Sequence, residues 1–230
     1  MISAMQSSEK VCILIPAYNA QGTLGQILKK IQSLEIDTIV VDDGSKDETR
    51  IVAGANGASV LEHPFNLGKG SALQTGFQYA LKKAYQVVIT LDADDQHDPS
   101  EIPFLLRIFR NVKPDILIGS RAGEFGKMTF LRRFWNRLGA KAVGQLCHSD
   151  ITDSQSGFRL IRAEVLKEVD LVTSGFEMEL ELLIKACKKR FGVLSVPINT
   201  QKVDGTGSSH FRPVVDTWRV CKLFIRSLFW

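Results

Sequence analysis

Two carboxylates, Asp92 and Asp94, stand two residues apart directly after an apolar run over 87–91. The run is rich in β-branched residues, which predicts a buried strand of a parallel sheet covered on both faces. Residues i and i+2 of an extended backbone point the same way, so the two carboxylates repel each other unless a cation lies between them. Such oxygen ligands suit Mg²⁺ or Mn²⁺, which complete their shells with water and substrate phosphate. The spacing predicts a metal–diphosphate site; the alternative is an acidic turn in which Asp98 and Pro99 open a helix.

Polar clusters also follow two earlier predicted strands, over 16–19 and 42–45. Strands and helices alternate with short connections as far as residue 119, which predicts a single α/β domain with a doubly wound, mostly parallel sheet and flanking helices. Ligands of such sheets bind outside the carboxyl ends of the strands. Because all three clusters fall at such ends, we expect them to form one site.

The periodicity also predicts the limits of the elements. Strands are predicted at 11–15, where Pro16 ends the strand, and at 38–41, 58–61, 87–91, 115–119 and 193–196, with a tight turn at 156–158 leading into a further strand. Helices are predicted at 23–34, through 72–81, and at 100–110, 127–146 and 176–189. A further helix is expected after the strand at 38–41, with Ser45 or Asp47 as its cap. We expect a flexible tail at 1–10, the domain at 11–212 and a basic amphipathic helix at 213–230.

The composition is that of an ordinary globular protein, with 230 residues, 44% of them hydrophobic and 23% charged. The net charge of +4 is compatible with an anionic substrate or a membrane surface, and we expect no nucleic-acid partner. The scattered cysteines predict neither a zinc site nor a disulfide framework and fit a reducing compartment. The chain shows no signal peptide and no apolar stretch near the roughly 20 residues that span a bilayer. These features predict a cytoplasmic protein, peripheral at the cytoplasmic face of the membrane.

Basic side chains recur along the predicted helix at 127–146. Arg133, Arg137 and Lys141 form a four-spaced row, and Arg132 and Asn136 form a pair beside it. This surface is either a solvated face or a stripe that faces phosphates of a substrate or of anionic lipid. The basic, aromatic stretch at 214–230 likewise fits a helix lying in a membrane interface or a closing helix packed on the sheet.

Six segments occur in a fixed order between residues 11 and 210. They are IPAYN at 15–19, VVDDGSKDET at 40–49, NLGKGSA at 66–72, LDADDQHDP at 91–99, GSR at 119–121 and DSQSGFR at 153–159. In these segments the chain resembles the family 2 inverting glycosyltransferases of the GT-A fold, which has a Rossmann-like sheet. Within that family it is most similar to the dolichyl- and polyprenyl-phosphate mannose or glucose synthases.

The resemblance implies roles for particular residues. The nucleotide sugar, linked to GDP or UDP, would be bound by Pro16, Tyr18, Asn19, Asp43, Gly68, Lys69, Gly70, Asp92, Ala93 and Asp94. The metal, Mg²⁺ or Mn²⁺, would be bound by Asp92, Asp94 and Gln96. The polyprenyl phosphate acceptor would be bound by Arg121, Arg132, Asn136, Asp153, Lys202 and Ser208. Asp92, Asp94, Arg121 and Arg132 would form the catalytic group.

Two positions depart from the family pattern. Ala20 stands where a glutamate that contacts the nucleotide is expected, and Asn136 stands where the mannose synthases tend to have serine. Three functions therefore remain open: transfer of a hexose to a polyprenyl phosphate, transfer to a sugar hydroxyl of a glycolipid or polysaccharide, and a non-catalytic subunit that binds a nucleotide sugar. For a hydroxyl acceptor, Asp153, Glu177 or Glu179 could act as the base.

Overall fold

The computed structural model describes residues 9–121, 140, 143–145, 150–199, 222–223 and 226–227. Within these residues the strands are β1 Val11–Ala17, β2 Asp37–Asp42, β3 Ser59–Glu62, β4 Val87–Thr90, β5 Ile116–Ser120, β6 Arg159–Arg162 and β7 Val193–Pro197. The helices are α1 Gln21–Gln32, α2 Thr49–Ala55, α3 Lys69–Lys82, α4 Ile102–Val112, α5 Ala163–Glu168 and α6 Met178–Lys188, and a 3₁₀ turn at Pro99–Glu101 precedes α4.

The strands form one seven-stranded sheet in the order β3-β2-β1-β4-β6-β5-β7. All neighbouring pairs are parallel except those of β6, which runs antiparallel to both β4 and β5. The predicted fold class, a single α/β domain with a mostly parallel, doubly wound sheet, is therefore confirmed. The direction of β6 was not predicted, because its apolar run carries no signal of direction.

Helices cover both faces of the sheet and enclose two cores. On one face, Leu24 and Ile27 of α1 and Phe109 of α4 pack in the same buried cluster as Ile13 and Ile89 of the sheet. On the other face, Phe77 of α3 and residues of α6 pack with the alternate sheet side chains. The continuous apolar run of β4 follows from this arrangement, because all four of its residues are buried.

The first strand is longer than predicted, because Pro16 does not end it. β1 continues to Ala17, and Pro16 and Ala17 pair with Val41 and Asp42 of β2. The carbonyl of Leu14 accepts a hydrogen bond from Leu91 N, so the backbone groups of Leu14 face β4. Pro16 lies two residues further along the strand, so its backbone groups face the same side. Because β4 ends at Thr90, no ladder bond is lost where proline lacks its N–H.

The sequence also left two features unpredicted. Helix α5 is only six residues long, so its two turns were too short to show a period. Cys187 is disulfide-bonded, which the scattered spacing of the cysteines did not predict. Cys12, in contrast, is a free thiol in the core of the sheet, and burial raises its pKa to about 12.

Several predictions fall largely outside the described residues. Of the helix predicted at 127–146, positions 140 and 143–145 are described and are helical, as are positions 222–223 and 226–227 of the predicted closing helix. The division of the chain at residues 10 and 212 stays a prediction. None of the helices in the described part of the chain has the length and apolar character that crossing a membrane requires.

Substitutions at two phenylalanines of α4 would test how this helix packs on the sheet. Phe109 is fully buried, whereas Phe104 on the same helix is 38% exposed. Phe109→Ala should lower the free energy of unfolding by about 3–5 kcal/mol, because it removes a buried ring and leaves a cavity. Phe104→Ala should lower it by less than about 1 kcal/mol. Urea denaturation followed by circular dichroism measures both, and equal losses would contradict the placement of α4.

Candidate active site

The carboxyl ends of β1, β2 and β4 converge at one edge of the sheet. β2 and β3 follow β1 to one side, whereas β4 lies on the other side, so the chain reverses its direction of winding between β1 and β4. Such switch points are where doubly wound sheets bind ligands. Asp92 follows β4 directly at this point, and Thr23 of α1 donates a 2.6 Å hydrogen bond to the carbonyl of Ala93. The predicted clusters at 16–19, 42–45 and 92–96 therefore lie at the same edge.

Asp92 is held by a lysine from the start of α3. Lys69 Nζ lies 2.6 Å from Asp92 Oδ1 and 2.9 Å from Glu179 Oε2 of α6, and all three side chains are largely buried. Burial alone would raise the pKa of Asp92, but the nearby ammonium lowers it below its ordinary range. Burial alone would lower the pKa of Lys69, but Asp92 and Glu179 raise it. Asp92 and Lys69 therefore remain charged at neutral pH.

Asp94 lies in the same acidic turn but has no cationic partner in the described part of the chain. Its carboxylate accepts a 3.1 Å hydrogen bond from the backbone N of Gln96. Burial, followed by the charge of Asp92, raises the pKa of Asp94 from 3.8 to about 6. A cation placed between Asp92 and Asp94 would relieve this repulsion.

The donor set fits a hard divalent cation that takes few protein ligands. No cluster of three or more His, Cys, Asp or Glu side chains suited to a metal ion occurs in the described part of the chain. Asp92 and Asp94 with the amide of Gln96 leave the remaining positions to water and phosphate, which is how Mg²⁺ is commonly bound. The raised pKa of Asp94 is the observation that favours a cation at this point.

Arg121 and Asp153, both predicted to bind the acceptor, form a buried ion pair with each other. Arg121 follows β5, and its Nε lies 2.8 Å from Asp153 Oδ2 while its Nη2 lies 3.4 Å from Oδ1. Burial would lower the pKa of Arg121, but Asp153 raises it, and Asp92 and Asp94 also contribute. Arg121 is thus a fixed positive charge beside the acidic turn. Asp153 orients it, which makes Asp153 a poor candidate for a free base.

The loop at 153–158 closes the site on the β6 side. Thr90 Oγ1 donates to the carbonyl of Gly157, and Ser156 Oγ donates to that of Gly119. A Cβ at Gly157 would overlap the carboxylate of Asp92, so only glycine allows this approach. The loop therefore fixes the position of Asp92 by direct contact.

Arg159, at the start of β6, holds this loop against α6. Its fully buried guanidinium donates to three backbone carbonyls, with 2.8 Å to Ser156, 2.9 Å to Ser154 and 2.6 Å to Glu179. Burial lowers the pKa of Arg159, and nearby carboxylates including Glu179 and Asp153 oppose this effect. The sequence did not assign Arg159 a role, although its family segment was recognised.

On the side predicted to bind the nucleotide, Asp43 organises the loop after β3. Asp43 Oδ1 accepts from Leu67 N and contacts His63 Nδ1 at 2.7 Å, and Oδ2 accepts from Gly68 N at 2.8 Å. His63 also bonds Thr75 through Nε2 and is buried, so it links the loop after β3 to α3. The described contacts of Asp43 are structural, and its predicted contact with ribose or base stays a prediction.

The other predicted nucleotide residues lie along the same edge. Asn19, with a φ of 49°, receives Lys46 N on its side-chain oxygen and donates its own N to Ser45 Oγ. At Ala20, the position that departs from the family pattern, the backbone N donates to Thr49 Oγ1 at 2.7 Å. Pro16 and Ala17 form the last pairs of β1 with β2 at the same edge, and Tyr18 follows in a bend. Gly68 and Gly70 begin α3 against the backbone of Ser174 and Gly175.

Three buried polar side chains near the site have atoms without a hydrogen-bond partner among the described residues. They are both ring nitrogens of His97, Oε2 of Glu177 and Oε1 of Glu179. Burial lowers the pKa of His97 to about 4, so its ring is neutral at pH 7, and it packs 5.5 Å from the ring of Phe158. Such groups are usually satisfied in native proteins, so these atoms are candidates for contact with a ligand or water.

The remaining predicted acceptor residues, Arg132, Asn136, Lys202 and Ser208, lie outside the described residues. The structure thus brings together the predicted metal residues with Lys69, Arg121 and Asp153. Two contacts were not predicted from the sequence. They are the contact of His63 with Asp43 and the contact of Glu179 with Lys69.

Comparison with known proteins identifies the class of this fold and site. The chain superposes with a TM-score of 0.74 on glucosyl-3-phosphoglycerate synthase from Mycobacterium tuberculosis, solved in complex with Mn²⁺, UDP and glucosyl-3-phosphoglycerate. The match covers 96% of this chain and 80% of that one at 19% identity. The fold is therefore that of the GT-A glycosyltransferases.

The sequence places the chain within one family of that class. Residues 12–170 match the family described as Glycosyl transferase family 2, and the chain belongs to it. It is 30% identical to undecaprenyl-phosphate mannosyltransferase from Micrococcus luteus, over 82% of each chain. It is also 30% identical to UDP-N-acetylglucosamine–dolichyl-phosphate N-acetylglucosaminyltransferase from Methanococcus voltae, over 83% of this chain and 85% of the relative. The protein is thus a family 2 glycosyltransferase.

The raised pKa of Asp94 makes stability depend on pH in a defined direction. The folded state holds this proton up to about pH 6, whereas the unfolded chain releases it near the ordinary value of 3.8. Folding is therefore opposed by the ionisation of Asp94 above this window. In metal-free buffer at pH 8, Asp94→Asn should raise the free energy of unfolding by about 1–2 kcal/mol, a figure reduced for partial exposure. The gain should vanish below about pH 4.

Asp95→Asn is the matched control for this measurement. Asp95 is in the same turn with a φ of 57°, which asparagine also tolerates, and it pairs with Lys30 at 3.4 Å. Denaturant titrations at pH 4, 6 and 8 compare the two variants. A gain of equal size in Asp95→Asn, or a gain in Asp94→Asn that persists at pH 4, would argue against repulsion between Asp92 and Asp94.

Proposed function

We propose that this enzyme transfers a hexose from a GDP- or UDP-linked sugar to the phosphate of a polyprenyl phosphate. The observation that carries this proposal is the combination of Asp92 and Asp94 with two buried cations, Lys69 and Arg121, at the switch point of the sheet. Such an arrangement suits a reaction in which two anions, a diphosphate and a phosphate, must lie side by side. The names of the relatives from M. luteus and M. voltae support a polyprenyl-type acceptor.

The proposed chemistry needs charge compensation more than proton transfer. An oxygen of the acceptor phosphate attacks the anomeric carbon, the bond from that carbon to the diphosphate oxygen breaks with inversion, and the nucleoside diphosphate leaves with the electron pair. Mg²⁺ or Mn²⁺ bound at Asp92, Asp94 and Gln96 would supply a Lewis acid for the leaving group. The acceptor phosphate is already ionised, so it requires no general base. Arg121, held by Asp153, offers the acceptor a fixed positive charge.

The two substrates are proposed to occupy opposite sides of the acidic turn. The nucleotide would lie along Pro16, Tyr18, Asn19 and Asp43 and against the start of α3, with its diphosphate near Lys69. The acceptor phosphate would lie near Arg121, where Arg132, Asn136, Lys202 and Ser208 would complete its contacts. The basic row at 127–146 and the stretch at 213–230 would bring the enzyme to the cytoplasmic face of a membrane, where its lipid acceptor resides.

A second candidate function is transfer to a sugar hydroxyl of a glycolipid or polysaccharide. The observation that favours it is the pair of buried carboxylate oxygens, Glu177 Oε2 and Glu179 Oε1, that have no hydrogen-bond partner among the described residues. A hydroxyl acceptor needs a carboxylate to take its proton, and either glutamate could serve. Glu179 is the weaker choice, because its other oxygen is bound to Lys69.

Transfer of labelled sugar to a lipid-extractable product tests the proposal. The assay combines Mn²⁺ or Mg²⁺ and a short polyprenyl phosphate with GDP-mannose, UDP-glucose or UDP-N-acetylglucosamine. We expect labelling from one donor that is abolished by EDTA and lowered at least about 10³-fold in Asp94→Asn, because the diphosphate then lacks its metal. Asp95→Asn should remain active.

The same assay separates the two candidate acceptors. Labelling that requires a polyprenol glycoside and fails with polyprenyl phosphate would overturn the proposal in favour of a hydroxyl acceptor. In that case Glu177→Gln should lower kcat by about 10²-fold or more, whereas with a phosphate acceptor it should leave kcat within about tenfold.

Arg132 provides a test of the acceptor side. Arg132→Ala should raise the KM for the polyprenyl phosphate by about tenfold or more, because it removes a charge-assisted contact with the phosphate. The KM for the nucleotide sugar, measured on the same enzyme, is the internal control and should change little. A similar rise in both constants would count against an acceptor-phosphate role for Arg132.

A further inference from the structure

Lys69 occupies the position in which a cation would neutralise Asp92. Its ammonium lies between Asp92 Oδ1 and Glu179 Oε2, at 2.6 and 2.9 Å. The side of the Asp92 carboxylate next to Gly157 is closed by the backbone of that loop, since even a methyl group would overlap it there. A divalent cation that binds Asp92 Oδ1 must therefore compete with the ammonium.

The fold fixes Lys69 in this place from two directions. Gly68, with a φ of 99°, turns the chain into α3, and its N donates to Asp43 Oδ2. Gly70 packs so closely on Ser174 and Gly175 that a Cβ would overlap their backbone, which draws the start of α6 against the start of α3. Lys69 and Glu179 thus meet because the two helices begin side by side, and Glu179 keeps the ammonium beside Asp92.

We propose that Lys69 is an internal counterion that weakens the binding of a divalent cation to Asp92 until a nucleoside diphosphate is present. The diphosphate offers the ammonium new anionic partners, so the oxygen of Asp92 becomes available as the nucleotide arrives. Metal and nucleotide then bind together, and each raises the affinity of the site for the other by the same factor. This inference rests on the metal site of the proposed function and adds the order of its assembly.

The flexible side chain of lysine suits this exchange. An ammonium is a compact point charge on a four-carbon stem, and a small rotation of the stem moves it from a carboxylate to a phosphate. Arg121 does not share this freedom, because Asp153 holds its guanidinium through two nitrogens. Among the described residues, Lys69 is therefore the cation that contacts Asp92 through a flexible stem, whereas Arg121 is held in place by Asp153.

Mn²⁺ binding measured by electron paramagnetic resonance and calorimetry tests the inference without any catalytic readout. Wild-type protein should bind Mn²⁺ weakly alone and about tenfold or more tightly with saturating UDP or GDP. Lys69→Gln should bind Mn²⁺ alone about tenfold more tightly than the wild type, and its enhancement by nucleotide should shrink. Lys69→Arg, which keeps the charge, should retain the weak binding of Mn²⁺ alone.

Lys30→Gln is the matched control for the lost charge. Lys30 pairs with Asp95 at 3.4 Å in the same acidic turn but does not contact Asp92. Its Mn²⁺ affinity should equal that of the wild type, which separates direct competition at Asp92 from a general change of potential. An equal increase in Lys30→Gln would overturn the inference.

The remaining outcomes are equally decisive. If folded Lys69→Gln binds Mn²⁺ alone no more tightly than the wild type, the inference is overturned. If Lys69→Gln does not fold, Lys69→Met takes its place in the measurement. If neither variant folds, the lack of any enhancement of Mn²⁺ binding by nucleotide in the wild type overturns it. No Mn²⁺ binding under any condition defeats the proposed metal site as well. Tighter binding in Lys69→Gln, together with no sugar transfer to polyprenyl phosphate by the wild type, would support the inference and defeat only the assignment of the acceptor.

Discussion

The balance of charge around Asp92 is the constraint on which the rest of the site depends. A carboxylate at the end of a buried strand is unstable unless a cation lies close to it, because the protein interior screens charge poorly. Lys69 supplies that cation from α3, and Glu179 of α6 holds the lysine in turn. Asp94 has no such partner among the described residues, and burial and the charge of Asp92 raise its pKa, so a further cation beside it would be stabilising. The beginnings of two helices and the end of a strand are thereby fixed relative to one another.

The antiparallel strand β6 explains how the second half of the chain reaches this site. Arg159 of β6 pairs with Thr90 of β4, so β6 begins where β4 ends. The loop at 153–158 that precedes β6 is consequently delivered to the edge that carries Asp92. A parallel strand in this position would have placed that loop at the opposite edge. A single reversed strand thus brings Asp153, Gly157 and Arg159 to the acidic turn.

The sequence predicted the strands, the edge at which they end and the acidic turn, because these depend on local periodicity and on the direction of parallel strands. Its errors arose where partners are distant in sequence. Asp43 meets His63 across a sequence separation of 20 residues, and Lys69 meets Glu179 across one of 110. No spacing rule relates such pairs, since the path of the chain between them decides whether they touch. Pro16 was misjudged for a similar reason, because its tolerance depends on where the neighbouring strand ends.

The clamp formed by Arg159 has a consequence for how this scaffold can diversify. Its guanidinium is bonded to the main-chain oxygens of Ser154, Ser156 and Glu179, and every amino acid supplies such an oxygen. The bond at Ser154 therefore does not depend on the side chain there, whereas Ser156 and Glu179 also bind Gly119 and Lys69 through their own side chains. A substitution at position 154 can therefore change the chemistry of the loop without removing the main-chain bond to Arg159 that holds it.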